Sequence, residues 1–212
     1  MDGTGKTYHA MELCKTLADR HIPCMYIHMM SQDFDYTIIR FLLSPMRKAR
    51  LSGVGVHEQT NVQVKSNSIV KVVWPLIALM DHIVTYFVRI RPLAKHSVVV
   101  CDRYFYDYLA SFCALGLVAP GIFTLYLKCI PRPKQTFFLD ATIDAAFDRK
   151  KDELSLEYLK QQRKAYLMIA QTLKPQPKVI DATRDRLAVS SDILEEIQAF
   201  LPKFMPHGES CG

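Results

Sequence analysis

The first seven residues of the chain match the end of a phosphate-binding loop. The pattern is G-x-x-x-x-G-K-S/T, and its last seven positions are filled by Met1-Asp2-Gly3-Thr4-Gly5-Lys6-Thr7. In such a loop, successive backbone N–H groups converge on phosphate oxygens, the lysine neutralises negative charge, and the Ser/Thr hydroxyl binds Mg²⁺. The motif therefore predicts a nucleoside triphosphate site at the start of a helix, whose dipole favours anions.

The same motif constrains the fold. In this α/β architecture the loop follows a buried strand that runs through the middle of a parallel sheet, and the 212-residue chain encodes no such strand. We expect the sheet to be open between the strands at Val98 and Lys178. Unpaired strand edges promote association, so a chain that begins at Met1 should be unstable or prone to aggregation.

Short apolar runs alternate with helical patterns along the rest of the chain. Strands are predicted at residues 24–29, 97–101, 135–140 and 178–181. Helices are predicted at residues 8–20, 33–44 and 68–91. This alternation predicts a single α/β domain over residues 1–212, with a parallel sheet flanked by helices on both faces.

Ligands in such sheets bind at the carboxyl ends of the strands. This rule places the phosphate loop, the pair Asp102-Arg103 and the loop after Asp140 around one cleft. Thr7 should hold Mg²⁺, and Asp102 should complete the metal shell through water. The planar guanidinium of Arg103 can donate two parallel hydrogen bonds to a phosphate. An acid–base pair at the end of a strand is also explained by a structural salt bridge.

Two further segments have both a functional and a structural interpretation. The charge run that contains Arg149 and Lys150 is typical of a solvated surface, but the polar helical pattern after it favours a mobile lid over residues 148–165. After the last strand, Thr183 and Arg184 could contact the donor base, and a plain turn explains them equally well.

Composition and charge limit the partners. The formal net charge is +6 and the pI is near 9.0, but acids are interspersed with Lys and Arg and no basic tail occurs. A small anionic substrate explains this balance as well as nucleic acid does, and we predict no nucleic-acid partner. Charged residues and Pro75 interrupt the apolar stretch at residues 68–92, which favours a buried helix over a membrane span.

The six cysteines show no Cys-x-x-Cys spacing. Several lie in apolar strand or helix patterns, so we expect reduced core thiols in preference to disulfides or metal ligands. The N-terminus has no charged-then-apolar leader. A cytoplasmic protein is therefore expected.

The order of the motifs resembles that of the thymidylate kinases and thymidylate-kinase-like proteins. The resemblance spans nearly the whole chain and depends on order and spacing, since each motif is short. The motifs are the phosphate loop, Asp81-His82 in the long helix, Val-Val-Cys-Asp-Arg-Tyr at 99–104, Phe-Phe-Leu-Asp at 137–140, Gln-Arg-Lys-Ala-Tyr at 162–166 and Val-Ile-Asp-Ala-Thr at 179–183.

The resemblance implies a P-loop kinase fold that transfers the ATP γ-phosphate to a nucleoside monophosphate such as dTMP, with ATP and Mg²⁺ as cofactors. The implied catalytic cations are Lys6, Arg103, Arg149, Lys150 and Arg163. ATP would be bound by Gly3, Thr4, Gly5, Lys6, Thr7, Thr183 and Arg184. The acceptor would be bound by Asp2, His82, Arg103, Tyr104 and Asp107.

Several alternatives stay open at this stage. His82 replaces the arginine that usually follows the helix aspartate in the family, and a lone histidine on an apolar helix is more typical of a core residue. Other acceptors, such as a nucleoside or a polyol-like metabolite, would suit the same donor site. A nucleotide-binding protein without turnover is a third interpretation, and we leave a homodimer open.

Overall fold

A computed structural model describes residues 4–29, 68–143, 156–199 and 201 of the chain. Five predictions lie outside these residues, namely the roles of Asp2, Gly3, Arg149 and Lys150 and the helix at 33–44. The predicted lid is described only from residue 156 onward.

The described elements alternate between helix and strand, as the sequence predicts. In chain order they are α1 (Lys6–Asp19), β1 (Cys24–His28), α2 (Val70–Thr85), α3 (Arg91–Leu93), β2 (Val98–Asp102), α4 (Phe105–Ala114), α5 (Pro120–Cys129), β3 (Phe137–Asp140), α6 (Leu156–Thr172), β4 (Lys178–Asp181) and α7 (Arg186–Gln198). A π-helical turn, Tyr86–Ile90, joins α2 to α3.

The strands of the described ranges form two separate parallel pairs. In the first pair, Cys24 lies opposite Val98 and the register continues to His28 opposite Asp102. The second pair is β3 with β4, from Phe137 opposite Lys178 to Asp140 opposite Asp181. The protein is therefore a mixed α/β structure of short parallel strands flanked by helices.

A cavity of about 470 Å³ lies between the two pairs, lined along its length by β2 and β3. An opening is predicted between the strands at Val98 and Lys178, and the structure corrects the second of these two borders. Because β3 pairs with β4, it stands between β4 and the opening. The opening is therefore bordered by Val98–Asp102 and Phe137–Asp140.

Both strands that border the cavity run in the same direction. At their first residues, Val98 and Phe137 pack against one small core cluster that contains Leu17 and Ile22. At the other ends, Arg163 of α6 binds Asp140 of β3, and Tyr166 of α6 binds Asp107, five residues after β2. The carboxyl ends of β2 and β3 therefore meet at one edge, as parallel α/β architecture requires.

The helical run Val70–Leu93 is long and apolar enough to cross a membrane by length and composition, a test that core helices of soluble proteins also pass. Leu79 and Ile90 lie in the main core, whereas Val73 and Met80 are exposed. The predicted buried helix is thus buried on one face only. The absence of a membrane partner stays a prediction.

One prediction about the cysteines is wrong. Cys14 of α1 and Cys24 of β1 form a disulfide, with their Cα atoms 5.7 Å apart. The reason is geometric, because β1 returns along α1 after a short turn and brings the two positions within bonding reach. Among the described residues, Cys101, Cys113 and Cys129 are free thiols.

Candidate functional site

The predicted phosphate loop leads directly into α1. Gly5 is the N-cap residue and has φ 82°, in the left-handed region that glycine adopts without steric penalty. A Cβ at Gly5 would approach His9 no closer than 3.6 Å, so backbone conformation and not space requires the glycine. The N–H groups of the first turn then face the loop, where they favour an anion.

Asp102 ends β2 beside the first turn of α1. Its side chain is buried, and Oδ2 accepts hydrogen bonds from Thr7 Oγ1 at 2.6 Å and from Tyr26 Oη at 2.9 Å. His28 Nε2 lies 3.7 Å from the same oxygen. Burial, followed by the hydrogen bond to Asp102, raises the pKa of Tyr26 to about 12. The phenol therefore remains a hydrogen-bond donor at neutral pH.

The second carboxylate oxygen of Asp102 fits a metal site. Oδ1 is buried and has no hydrogen-bond partner among the described residues. Leaving a charged oxygen unpaired in this way is costly, and a divalent cation or its water would pair it. Mg²⁺ prefers oxygen ligands and needs few from the protein when phosphates and water supply the rest. Thr7 and Asp102 therefore fit Mg²⁺, although no cluster of three His, Cys, Asp or Glu side chains occurs in the described ranges.

Arg103 and Asp107 follow β2 at the same edge. Arg103 has φ 62°, a left-handed conformation that is uncommon for a residue with a side chain and that is often found at functional sites. Asp107 caps α4, since its Oδ2 accepts the Tyr104 N–H at 3.1 Å. Its Oδ1 accepts the hydroxyl of Tyr166 at 2.5 Å and lies 3.9 Å from Lys6 Nζ. Asp107 thus connects the phosphate loop, α4 and α6.

Arg163 of α6 binds the carboxyl end of β3. Its Nε and Nη2 donate to the two oxygens of Asp140 at 2.8 and 2.6 Å, a bidentate arrangement. The Arg163 hydrogen bond holds the pKa of Asp140 below its usual value, and the carboxylate in turn raises the pKa of Arg163. The predicted lid cation is therefore paired with a carboxylate in this structure.

The loop after β4 forms a turn beside α1. Asp181 Oδ1 accepts both the N–H of Thr183 at 2.9 Å and its hydroxyl at 2.6 Å. Arg184 forms an exposed ion pair with Asp192. The guanidinium of Arg186 lies 5.1 Å from the ring centre of Tyr8, next to Thr7 in sequence. The turn is thus near the phosphate loop, and contact of Thr183 or Arg184 with a donor base stays a prediction.

His82 does not line the cavity. Its side chain is buried, stacks on Phe105 with ring centres 4.6 Å apart, and shares a hydrogen bond with the hydroxyl of Tyr126. Burial lowers the pKa of His82 to about 3, so the ring is neutral at physiological pH. His82 is therefore a core residue, which is one of the two interpretations that its sequence context allows. A contact between His82 and an acceptor stays a prediction.

The burial of His82 predicts a specific pH dependence of stability. Its pKa is about 3 when folded and 6.5 when exposed, so the unfolded chain binds more protons between these values. The free energy of unfolding should therefore fall as pH decreases below 6.5, by up to about 1.4 kcal/mol per pH unit from this group. Urea unfolding between pH 4 and pH 7 measures how steeply the free energy of unfolding changes with pH. This slope should be shallower for His82→Asn than for the wild type. The exposed control His96→Asn should keep the wild-type slope, and a His82→Asn slope equal to wild type would contradict the assignment.

The structure brings most predicted site residues of the described ranges to one edge. These are Lys6, Thr7, Asp102, Arg103, Tyr104, Asp107 and Arg163, all of which line the cavity or contact a residue that does. Tyr26, Asp140 and Tyr166 also belong to this arrangement, although none of the three is predicted as a catalytic, binding or metal-ligating residue. Tyr166 is three residues after Arg163 on a helix and so shares its face, which is a signal that could have found it.

Part of the chain is similar to a known protein. No protein-family model matches the chain. The chain is 31% identical over 115 residues to a protein of Archaeoglobus fulgidus named "Probable thymidylate kinase". The match covers 51% of this chain and 57% of that relative, so the chain spans less than two thirds of the relative's length. The chain is therefore similar over about half its length to a protein with that name.

Proposed function

We propose that the protein is a nucleotide kinase that transfers the γ-phosphate of Mg-ATP to a nucleoside monophosphate such as dTMP. The observation that carries the proposal is the 2.6 Å contact between Thr7 of the phosphate loop and Asp102 at the end of β2. It joins a phosphate-binding helix terminus to a buried carboxylate. The similarity to the A. fulgidus protein supports the same class of reaction.

The donor half of the proposed site is the phosphate loop with the first turn of α1. The N–H groups around Gly5 would bind the ATP phosphates, and Lys6 would neutralise their charge. Thr7 directly and Asp102 through water would hold Mg²⁺, which neutralises the charge that develops on the phosphate oxygens. Thr4, Thr183 and Arg184 complete the proposed donor contacts, with Gly3 from outside the described ranges.

The acceptor half of the proposed site follows β2. Arg103 would bind the acceptor phosphate, and Tyr104 and Asp107 would contact the nucleoside, together with Asp2. Asp107 is held by Tyr166 and by the backbone of α4, so its carboxylate is already oriented. Preorganised groups of this kind lose less free energy on binding than groups that must first be ordered.

The transferring phosphate needs additional cations. Arg149 and Lys150 of the proposed lid and Arg163 would supply them. Arg163 is paired with Asp140 in this structure, so its participation requires exchange of that carboxylate for a phosphate oxygen. Its side chain is 37% exposed, which leaves it accessible to such an exchange.

A nucleotide-binding protein without turnover is the second candidate function. The observation that favours it is the cavity beside β2, since a sheet interrupted next to Asp102 would hold the metal and the phosphate loop less rigidly. Turnover of ATP with an acceptor separates this candidate from a kinase. Binding of Mg-ATP without turnover would favour the second candidate.

Arg103→Lys tests the acceptor role. Lysine keeps the positive charge but cannot donate two parallel hydrogen bonds to one phosphate. The KM for a nucleoside monophosphate should therefore rise about tenfold or more, while ATP affinity stays nearly unchanged. Steady-state kinetics with each substrate varied in turn would measure the KM for the acceptor and the KM for ATP separately. The exposed Arg20→Lys is the matched control. Weakened ATP binding with an unchanged acceptor KM would show that Arg103 does not bind the acceptor phosphate.

A further inference from the structure

Lys6 and Asp107 form an ion pair that is longer than a direct hydrogen bond. Lys6 Nζ lies 3.9 Å from Asp107 Oδ1, whereas a charge-assisted N–H···O bond measures about 2.7–2.9 Å. Both side chains are largely buried, with 19% of Lys6 and 11% of Asp107 exposed. Water screens charges little in such surroundings, so the carboxylate attracts the ammonium group without holding it in a direct hydrogen bond.

The hydroxyl of Tyr166 binds the same oxygen of Asp107. Tyr166 Oη donates to Asp107 Oδ1 at 2.5 Å, a length typical of a strong O–H···O⁻ bond. The other oxygen, Oδ2, accepts the Tyr104 N–H at 3.1 Å. Each oxygen of the carboxylate therefore has a donor at hydrogen-bond distance before Lys6 contributes one.

Packing in the core fixes the position of the Tyr166 hydroxyl. The tyrosine is 7% exposed, and its ring packs edge-on against Phe138 of β3 with the ring centres 5.5 Å apart. Leu159 and Ile169 lie on the same face of α6 and are fully buried in the main core. The core therefore holds the hydroxyl beside Asp107, and its placement does not depend on the hydrogen bond alone.

Loss of the Tyr166 hydroxyl would change the hydrogen bonding of Asp107. A buried carboxylate oxygen without a donor is costly, so Oδ1 would attract the ammonium group of Lys6 more closely. Lys6 Nζ needs to move only about 1 Å nearer to form a direct hydrogen bond. ATP binding would then have to break that bond before Lys6 could contact a phosphate.

We propose that Tyr166 is a positioning residue, which keeps Lys6 available to the nucleotide by donating a hydrogen bond to Asp107. This role rests on the proposed function, in which Lys6 neutralises the phosphates of ATP. The hydroxyl of Tyr166 reduces the competition between the carboxylate and the phosphates for one ammonium group. Each carboxylate oxygen has two acceptor positions, so the same Asp107 can also bind an acceptor nucleotide.

Equilibrium binding of the fluorescent nucleotide mant-ATP, with Mg²⁺ and the full chain, tests the proposal without requiring turnover. Tyr166→Phe keeps the ring that packs on Phe138 and removes the hydroxyl, and it should weaken binding about fivefold or more. Tyr158→Phe is the matched control. It makes the same change on α6, but the Tyr158 hydroxyl donates to Ser111 Oγ at 3.3 Å, so the affinity should stay unchanged.

A second substitution tests whether the effect depends on the carboxylate. Asp107→Asn keeps an oxygen that can accept the Tyr104 N–H, and it removes the charge that competes for Lys6. This variant alone should bind mant-ATP at least as tightly as the wild type. Combined with Tyr166→Phe, it should restore the affinity to near the wild-type value, a rescue that a purely structural role of Tyr166 would not produce.

Three outcomes would overturn the proposal for variants that circular dichroism confirms as folded. The first is that Tyr166→Phe and Tyr158→Phe have equal affinity for mant-ATP. The second is that the double variant binds no better than Tyr166→Phe. The third is that Asp107→Asn alone binds more weakly than the wild type, because the carboxylate would then assist Lys6 and not compete for it.

Lys6→Ala separates failure of this role from failure of the proposed function. If Lys6→Ala binds mant-ATP as tightly as the wild type, the phosphate-loop assignment fails and the role of Tyr166 fails with it. If Lys6→Ala weakens binding and Tyr166→Phe does not, only the role of Tyr166 is wrong. Weaker binding by both variants, with rescue of Tyr166→Phe by Asp107→Asn, is the expected result.

Discussion

Replacing Lys6 with alanine should lower kcat/KM for phosphoryl transfer about 100- to 1,000-fold, which corresponds to the roughly 2.7–4 kcal/mol that one such contact contributes in a transition state. The side chain faces the site, and its Nζ lies 3.9 Å from Asp107. Its loss should leave the core unchanged. Initial rates of ADP formation and a thermal melt of the same sample would measure both effects.

Lys15→Ala provides the matched control for Lys6→Ala. Lys15 is exposed on the same helix, about two and a half turns after Lys6. The control should keep the wild-type rate and melting temperature. Full turnover by folded Lys6→Ala protein would reject the phosphate-loop assignment.

Replacing Asp102 with asparagine should raise the Mg²⁺ concentration required for half-maximal activity about 10- to 100-fold, as loss of an outer-shell partner typically does. The amide keeps an oxygen that accepts from Thr7 and Tyr26, but it removes the charge from the buried oxygen that has no partner among the described residues. Because an unpaired buried charge is costly, the melting temperature without metal should stay equal or increase.

Two readouts separate a metal role for Asp102 from a structural one. Activity measured across a Mg²⁺ series reports the metal requirement, and melts without metal report stability. The exposed variant Asp19→Asn should change neither. A lower melting temperature with an unchanged Mg²⁺ requirement would show that Asp102 serves the fold only.

The alternation of elements could be predicted from sequence because it depends on local patterns. The β-branched run at Val98–Asp102 is long enough for a strand and too short for a helix, and it ends at the residue that the site uses. The phosphate loop is contiguous, so its helix and its glycine requirement could also be predicted. These features need no knowledge of which strands are neighbours.

Strand order and register could not be predicted in the same way. Crossover connections in parallel sheets allow several orders, and the β3–β4 pairing decides which strand borders the cavity. The contact of Tyr26 with Asp102 depends on register, since Tyr26 lies opposite Val100 and therefore diagonal to Asp102. The Cys14–Cys24 disulfide likewise depends on how α1 and β1 pack.

The histidine and the arginine of the predicted site illustrate two different limits. For His82, the sequence left the core and acceptor interpretations open, and only packing against Phe105 and Tyr126 places the ring in the core. For Arg163, the sequence predicts a cation on a helix near the site. It does not predict that Asp140 would be its partner, because the two residues are distant in sequence.

We propose that this chain uses the phosphate loop and Asp102 to transfer a phosphoryl group from Mg-ATP to a phosphate-bearing nucleotide. The most direct measurement is ADP formation from ATP with dTMP, other nucleoside monophosphates and the corresponding nucleosides as acceptors, in the presence and absence of Mg²⁺. We expect ADP formation that requires Mg²⁺ and a monophosphate acceptor and that is lost in Lys6→Ala. No ADP formation with any monophosphate, or equal turnover with nucleosides, would contradict it.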